Sequence, residues 1–338
     1  MINFQYSKAT GIADAVRQIA ADPDAKFIAG GTNLLDLMKD HVERPSRLID
    51  ITHLPLKTVE ETPDGGLRIG ALVPNSDLAY HPLIVQRYPL LGSAILSGAS
   101  QQLRNMASTG GNLLQRTRCA YFYDIVTPCN KREPGSGCSA IDGHNRMHAI
   151  LGASEACIAA HPSDMCVALA VLEAKVHVAG PGGNRTIAIE DFHRLPADTP
   201  HLDTNLHPHE MITAIELPGR GFAGNYSYLK IRDRLSYAFA LVSVAAALEL
   251  DGGVIKEARV ALGGVAHKPW RDRTAEAVMQ GQAPNEAVFR RAAEVLLQNA
   301  KGYGHNTFKI ELARLTIVRA LTQAARGTAQ VQSNKKIQ

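Results

Sequence analysis

No apolar run in this sequence is long enough to cross a bilayer: the longest, residues 238–248, falls well short of the roughly 20 residues a spanning helix needs. There is no basic stripe interleaved with aromatics. The net charge of +4 is spread along 338 residues, which argues against nucleic acid as a partner. The N-terminal stretch Met1-Ile2-Asn3-Phe4-Gln5-Tyr6 lacks the basic and apolar regions of a signal peptide, so export is expected only alongside a signal-bearing partner. Also missing are the lysine–serine pair of a P-loop and the C-x2-C pairs of zinc ribbons and bacterial ferredoxins. No Ser–His–Asp or paired-carboxylate set stands out, which suits a relay better than a hydrolase.

What is present is an ordinary globular balance, 45% hydrophobic and 20% charged, over a length that implies two or three subdomains. Five cysteines is an odd number for a disulfide framework, and a chain this long needs no staples. Four of them crowd one segment as Cys119-x9-Cys129-x8-Cys138-x18-Cys157, a clustering that favours a metal or cluster site. Pro128, Pro134, Gly135, Gly137 and Gly143 in the spacers let the backbone wrap irregularly around such a site. Four thiolates suit either zinc or a 4Fe–4S cluster, and spacing does not separate the two. Cys166 lies on an expected apolar helix and reads as a buried structural thiol. His144 and His148, four apart, share one face if that segment is helical, and read as a solvated or core feature rather than a metal site. Arg116, Arg118, Lys131, Arg132 and Arg146 either offset the charge of a thiolate cluster or form ordinary surface. Tyr121, Phe122 and Tyr123 read as apolar cover.

Two glycine loops frame the first half of the chain. An amphipathic helix at 11–22 precedes an apolar strand at 26–29, which runs directly into Gly30-Gly31-Thr32-Asn33 and then a helix from Leu34. Strand, glycine turn and helix together aim backbone N–H groups at a phosphate, and a strand at 48–51 completes a β-α-β unit. A hairpin at 59–69 and helices from 76 and from about 90 to 106 lead to the second loop, Ser108-Thr109-Gly110-Gly111-Asn112. Two such loops suggest two walls around one diphosphate. Beyond the cysteines, Pro162-Ser163-Asp164 caps an apolar helix, a hairpin spans 176–189, and a strand at 211–217 ends at Pro218-Gly219. A boundary is expected at 219–225, followed by strands at 226–231, 239–250 and 255–262 and helices at 274–279, 286–299 and 308–325.

The two loops, Asp164, and the later Glu216-Leu217-Pro218, Tyr228-Leu229-Lys230-Ile231-Arg232 and Arg234-Leu235-Ser236-Tyr237-Ala238 together resemble the FAD-binding medium subunit of the xanthine dehydrogenase and aldehyde oxidase family of molybdenum hydroxylases. The resemblance covers nearly the whole chain. Its cysteine-rich insert, which most such subunits lack, is similar to that of the hydroxybenzoyl-CoA reductase subunit, and the chain resembles the iron–sulfur flavin subunits of bacterial periplasmic aldehyde oxidoreductases. This implies FAD, a 4Fe–4S cluster held by Cys119, Cys129, Cys138 and Cys157, and two partners: a molybdenum-cofactor large subunit and a 2Fe–2S small subunit, in a heterotrimer. On the resemblance, Lys26, Phe27, Ile28, Ala29, Gly30, Gly31, Thr32, Asn33 and Leu34 wrap the FAD pyrophosphate from one side. Ser108, Thr109, Gly110, Gly111 and Asn112 supply the other. Asp164 accepts from a ribitol or ribose hydroxyl, or else is only a helix N-cap. Lys230 points its cation at the isoalloxazine ring, or else is a solvated strand lysine.

The expected fold is α+β, a two-part FAD-binding region of the PCMH type followed by a C-terminal α+β domain with antiparallel sheet and helices. The FAD-binding domain is expected at residues 1–218, with a small N-terminal β-α-β subdomain over residues 1–55 and a larger subdomain over residues 56–218 that carries the insert at 115–160. The C-terminal domain is expected at 225–326, followed by a frayed tail at 327–338. The expected role is an electron-transfer subunit of a molybdenum-dependent aldehyde oxidoreductase, periplasmic by co-export, with the cytoplasm as the alternative. The alternatives are a self-contained PCMH-type flavin oxidoreductase and a nucleotide-binding regulatory protein with a structural zinc.

Overall fold

The computed structural model describes residues 1–328, so the expected tail lies, from residue 329 on, outside the described residues. The chain opens with a small parallel sheet of β1 (Gln5–Lys8), β2 (Lys26–Ile28) and β3 (Arg47–Asp50), in the order β1-β3-β2. Helix Ile12–Ala20 makes the first crossover and buries Ala15 and Ile19, as its apolar spacing requires. Strand β1 has no apolar alternation (its residues are Gln5, Tyr6, Ser7 and Lys8) and is found only because it pairs with β3.

The second layer is an antiparallel sheet of β4 (Val59–Glu61), β5 (Leu67–Gly70), β6 (Lys175–Gly180), β7 (Gly183–Ala188) and β8 (Met211–Leu217), in the order β4-β5-β8-β6-β7. Strand β8 joins two segments far apart in sequence, pairing with β5 on one edge and β6 on the other. The C-terminal unit is an antiparallel sheet of β9 (Tyr226–Ile231), β10 (Val242–Asp251), β11 (Val254–Gly263) and β12 (Trp270–Arg271), with helices Glu286–Leu297 and Phe308–Ala325 beside it.

Strand periodicity decides how this last sheet is used. Val244, Ala246 and Leu248 of β10 and Val260 and Leu262 of β11 join the core under the two long helices. The alternate positions, Ala245, Ala247 and Ala261, join the other core, which holds helix Asp164–Val171. That helix is buried at all eight positions because it lies between helix Pro89–Ser97 and the C-terminal sheet. A helix apolar on every side is what a doubly covered position needs.

Three expectations change. The long helix foreseen at 90–106 is two, Pro89–Ser97 and Gln101–Met106, broken where Ala99 takes φ +51. The break frees the Ser97 carbonyl, which Lys230 Nζ and Arg232 Nη1 cap at 3.2 and 2.8 Å. The second glycine loop is a single helical turn, Thr109–Leu113, capped by Ser108 Oγ accepting from Gly111 N. His144 and His148 share no helix: His144 lies beside the His305 ring, centroids 4.9 Å apart, and His148 turns to Cys119. The insert is as irregular as expected, with one short helix, Ala120–Tyr123, and the isolated bridges Cys129–Cys138 and Ser154–Cys157.

Candidate functional site

The two glycine segments face one another across a cavity of about 1120 Å³. All of Lys26 to Leu34 line it on one side, and Ser108, Gly110, Gly111 and Asn112 on the other. Thr109 stands behind the wall, its N and Oγ1 both donating to Val73 O at 2.9 and 2.8 Å. With Gly110 N on Ala71 O at 2.7 Å, this pins the second segment to the end of β5.

The reason for glycine differs between positions. A Cβ on Gly30 would sit 1.8 Å from Met106 O, so this glycine lets the first segment press against the backbone leading into the second. Gly31 takes φ +70, which turns the chain from β2 into helix Leu34–Lys39. Gly110 is packed on Ala71, whereas a Cβ on Gly111 would meet only Ser108 Oγ at 2.9 Å. Backbone-to-backbone closeness explains Gly30, and the Cβ and carbonyl of Ala71 leave little room beside Gly110.

Asp164 and Lys230 both line the cavity, and the fold brings them together. Lys230 Nζ donates to Asp164 Oδ2 at 2.7 Å, and Tyr228 OH donates to Asp164 Oδ1 at 2.6 Å. The helix cap is Ser163, whose Oγ accepts from Cys166 N at 3.1 Å and donates to Asn112 Oδ1 at 2.6 Å. Both carboxylate oxygens of Asp164 are thus engaged by the protein, and the charge of Lys230 is largely offset. Burial and the adjacent carboxylate push the Tyr228 hydroxyl well above its usual range, so it remains a donor.

A dinucleotide-sized ligand fits this cavity by volume, which exceeds the usual range for small-ligand pockets. It fits by chemistry too: Asn33 Nδ2, His161 Nε2 and His193 Nδ1 belong to cavity-lining residues and are buried without partners. The two histidines, 4.3 Å apart between ring centroids, were not foreseen. Burial lowers His161 well below the ordinary imidazole range and His193 to about 4, so both are neutral. With Cys166 behind them they form a group whose ligand atoms all lie within 4.8 Å; burial pushes the Cys166 thiol up to about 12.

Cys119, Cys129, Cys138 and Cys157 converge on one small enclosed space of about 10 Å³, with Tyr121, Phe122 and Lys131 among its other walls. None forms a disulfide. The Cys138 sulfur accepts a hydrogen bond from Cys157, which draws Cys138 down to about 6 and raises Cys157. Burial raises Cys119 to about 11. The four sulfurs are not drawn together within the 4.8 Å that the His161 group meets. A tetrahedral zinc site needs S–S spacings of roughly 3.8 Å, given Zn–S bonds of about 2.3 Å.

The basic residues of the insert are braces. Arg116 Nη1 pairs with Glu43 at 2.8 Å, its Nε with Asp203 at 2.7 Å, and its backbone N donates to Asn33 Oδ1 at 2.9 Å. Buried Lys131 meets the same Asp203 at 2.5 Å. Burial by itself would raise Asp203, but Arg116 and Lys131 outweigh it and hold the carboxyl well below the usual range. Arg132 caps the carbonyls of Tyr121, Phe122 and Thr127, Arg118 reaches Tyr123 OH, and Arg146 pairs with Asp233 in the open. Arg116 therefore joins the cysteine insert to the first wall of the cavity. Glu43 and Asp203 escape a sequence reading because single acids in polar segments carry no signal.

Comparison with known proteins agrees with this geometry. The family model described as FAD binding domain in molybdopterin dehydrogenase matches residues 2–220. The model of the CO dehydrogenase flavoprotein C-terminal domain matches residues 227–324. The chain is 52% identical to the aldehyde oxidoreductase FAD-binding subunit PaoB of Escherichia coli, over 95% of this chain and 98% of that one. It is 25% identical to the carbon monoxide dehydrogenase medium chain of Hydrogenophaga pseudoflava, over 95% and 96%. Among solved structures, carbon monoxide dehydrogenase from Hydrogenophaga pseudoflava superposes with a TM-score of 0.76 at 25% identity, covering 97% of this chain and 100% of that one. Quinoline 2-oxidoreductase from Pseudomonas putida 86 gives 0.74 at 25% identity, covering 96% and 98%.

Proposed function

This chain belongs to the FAD-binding medium subunits of the molybdenum hydroxylase family, and from that premise we propose that it is the FAD- and 4Fe–4S-holding electron-transfer subunit of a molybdenum-dependent aldehyde oxidoreductase. Its partners in this reading are a large subunit with the molybdenum cofactor, where the aldehyde is oxidised, and a small 2Fe–2S subunit. The observation that carries the reading is the cavity walled by both glycine segments, with unpartnered polar atoms on residues that face it.

FAD bound there supplies two-electron and one-electron chemistry between the partner centres and an external acceptor. The chain's own residues bind and orient. Lys26 to Leu34 and Ser108, Gly110, Gly111 and Asn112 form the two walls, and Asn33 Nδ2 is a donor without a partner in the protein. Asp164 positions Lys230 at the cavity wall, and Tyr228 and the Ser97 carbonyl complete the fixture. His161 and His193, both neutral, line the cavity, and each keeps one ring nitrogen without a partner in the protein.

For the insert, Cys119, Cys129, Cys138 and Cys157 are the proposed cluster ligands. Their convergence on one small space supports the assignment, and the likeness of the insert to those of iron–sulfur flavin subunits favours a cluster over zinc. We divide the chain into an FAD-binding domain at 1–218, carrying the insert, and a C-terminal domain at 225–326. Among the described residues no helix is long and apolar enough to cross a membrane. The proposed location is the periplasm, by export in complex with a signal-bearing partner; this chain should then stay in the cytoplasm when that partner is deleted.

The test of function is partner dependence. The assembled complex should oxidise aldehydes, and this chain alone should not, while its flavin still reduces artificial dyes. Robust aldehyde turnover by the lone chain would overturn the proposal in favour of a self-contained flavoenzyme.

A further inference from the structure

Two of the four thiols meet buried histidines, and those histidines come from different parts of the chain. His148 Nε2 lies 3.1 Å from Cys119 Sγ, and His267 Nε2 lies 3.3 Å from Cys157 Sγ. His148 belongs to the insert, whereas His267 follows β11 in the C-terminal unit, 110 residues beyond the cysteine it meets. Both rings are buried, and on both the other ring nitrogen, Nδ1, is buried without a partner.

An imidazole carries at least one N–H, and a metal-bound thiolate has no proton to give. Once the cysteines hold a metal, the geometry is satisfied only with the proton on Nε2, donated to sulfur.

The C-terminal unit holds both histidine-bearing loops in place. Lys309, fully buried at the start of helix Phe308–Ala325, donates to His148 O at 2.8 Å and to Gly264 O at 2.6 Å. Ile150 N and Leu151 N both donate to Val265 O, at 2.9 and 3.0 Å. Asn306 Nδ2 adds a bond to Ala149 O at 2.9 Å. One fixture therefore sets where both rings stand relative to the sulfurs.

We propose that His148 and His267 are positioning residues that donate N–H···S hydrogen bonds to Cys119 and Cys157 and so raise the reduction potential of the cluster held there. The proposal rests on the 4Fe–4S reading above. Reduction adds negative charge to a cluster and its thiolates. A donor aimed at a ligand sulfur stabilises the more negative state, and does so more strongly in a dry interior. No bond to sulfur forms or breaks. The C-terminal domain, on this account, tunes a cluster carried by the other domain.

The test uses the whole complex. Iron and FAD are measured, and the cluster is titrated anaerobically against potential with its electron paramagnetic resonance signal as the readout. The variants are His148→Leu, His267→Leu, the double leucine variant, and His148→Gln and His267→Gln, which keep an N–H donor. Each leucine variant should keep its iron and favour the reduced cluster about tenfold less, about 59 mV for one electron. The double variant should shift further, and glutamine should recover at least half of the loss. Full iron with a potential unchanged within twofold in both leucine variants would overturn the proposal. If the leucine variants lose iron, the glutamine variants decide. Iron and potential near wild type support the bonds, and loss of iron there too reduces the histidines to packing. A wild-type complex with no iron beyond its 2Fe–2S centres would overturn the cluster reading itself, and this inference with it.

Discussion

Gly30 offers the sharpest perturbation of the flavin cavity. A Cβ there would stand 1.8 Å from Met106 O and 2.6 Å from Met106 C. A tolerable carbon–oxygen contact is about 3.3 Å, so in Gly30→Ala a gap of roughly 1.5 Å has to open between the two walls. The second wall cannot yield easily, because Ala107 O accepts from Asn75 N and Thr109 and Gly110 are tied to Val73 and Ala71. The first wall has to move instead, and overpacking of this kind costs roughly 1–3 kcal/mol. If roughly 2–3 kcal/mol of that falls on ligand geometry, FAD binds roughly 30–150-fold more weakly. Gly111→Ala is the matched control. Its Cβ meets only the Ser108 hydroxyl, so the loss is limited to a disturbed cap of about 1 kcal/mol, or about fivefold. The assay is FAD per chain in the purified complex, followed by the dissociation constant for FAD rebinding to flavin-stripped complex, read by flavin fluorescence. Wild-type affinity in Gly30→Ala, or a greater loss in Gly111→Ala, would refute the two-wall reasoning.

Other outcomes follow from the same geometry. Alanine at Cys119, Cys129, Cys138 or Cys157 should each lower iron content and yield unstable or flavin-poor complex, because the insert has little regular structure to order itself; Cys166→Ala should be mild. Iron and FAD assays across the five variants check this, and an essential Cys166 beside a dispensable member of the four contradicts it. Lys230→Met leaves Asp164 buried with Tyr228 but without its cation, which should cost roughly 3–5 kcal/mol, while Asp164→Asn combined with Lys230→Met should recover much of that. Melting temperatures decide, and a single variant as stable as the double contradicts it. Burial lowers Lys309 from 10.5 to about 7, so the folded state releases this proton before the unfolded state does. Below pH 7 both states hold the proton and the cost of burial is complete. Between pH 7 and 10.5 the stability contributed at this site should climb, by about 5 kcal/mol if the whole shift is expressed. Lys309→Met should abolish that climb, measured as the wild-type-minus-variant difference in stability at pH 7 and at pH 9.5.

The elements with strong periodicity were legible in the sequence. Strands β8, β9 and β11 and the helices beginning at Glu286 and Phe308 fall close to where apolar alternation and caps put them. The two glycine segments, Asp164 and Lys230 were legible as cavity residues, since all but Thr109 line it. Three kinds of feature were not legible. Strand β1 exists because β3 offers it an edge, a tertiary effect that leaves no local trace. The break after Ser97 is sustained by Lys230 and Arg232, over 130 residues away, which cap the carbonyl it frees. The pairing of Asp164 with Lys230, and the hold of Asp203 on Arg116 and Lys131, arise from charges that meet only in the folded chain. The four cysteines announced themselves by clustering, but the histidines that face two of their sulfurs did not, because His267 lies in a different domain.

The most direct test of the account is cofactor content of the complex in its native state. Compared with the same complex in which Cys119, Cys129, Cys138 and Cys157 are all alanine, the wild type should hold four more irons per copy of this chain, with one FAD released on denaturation. Zinc in place of that iron, or no flavin in the wild-type complex, would contradict it.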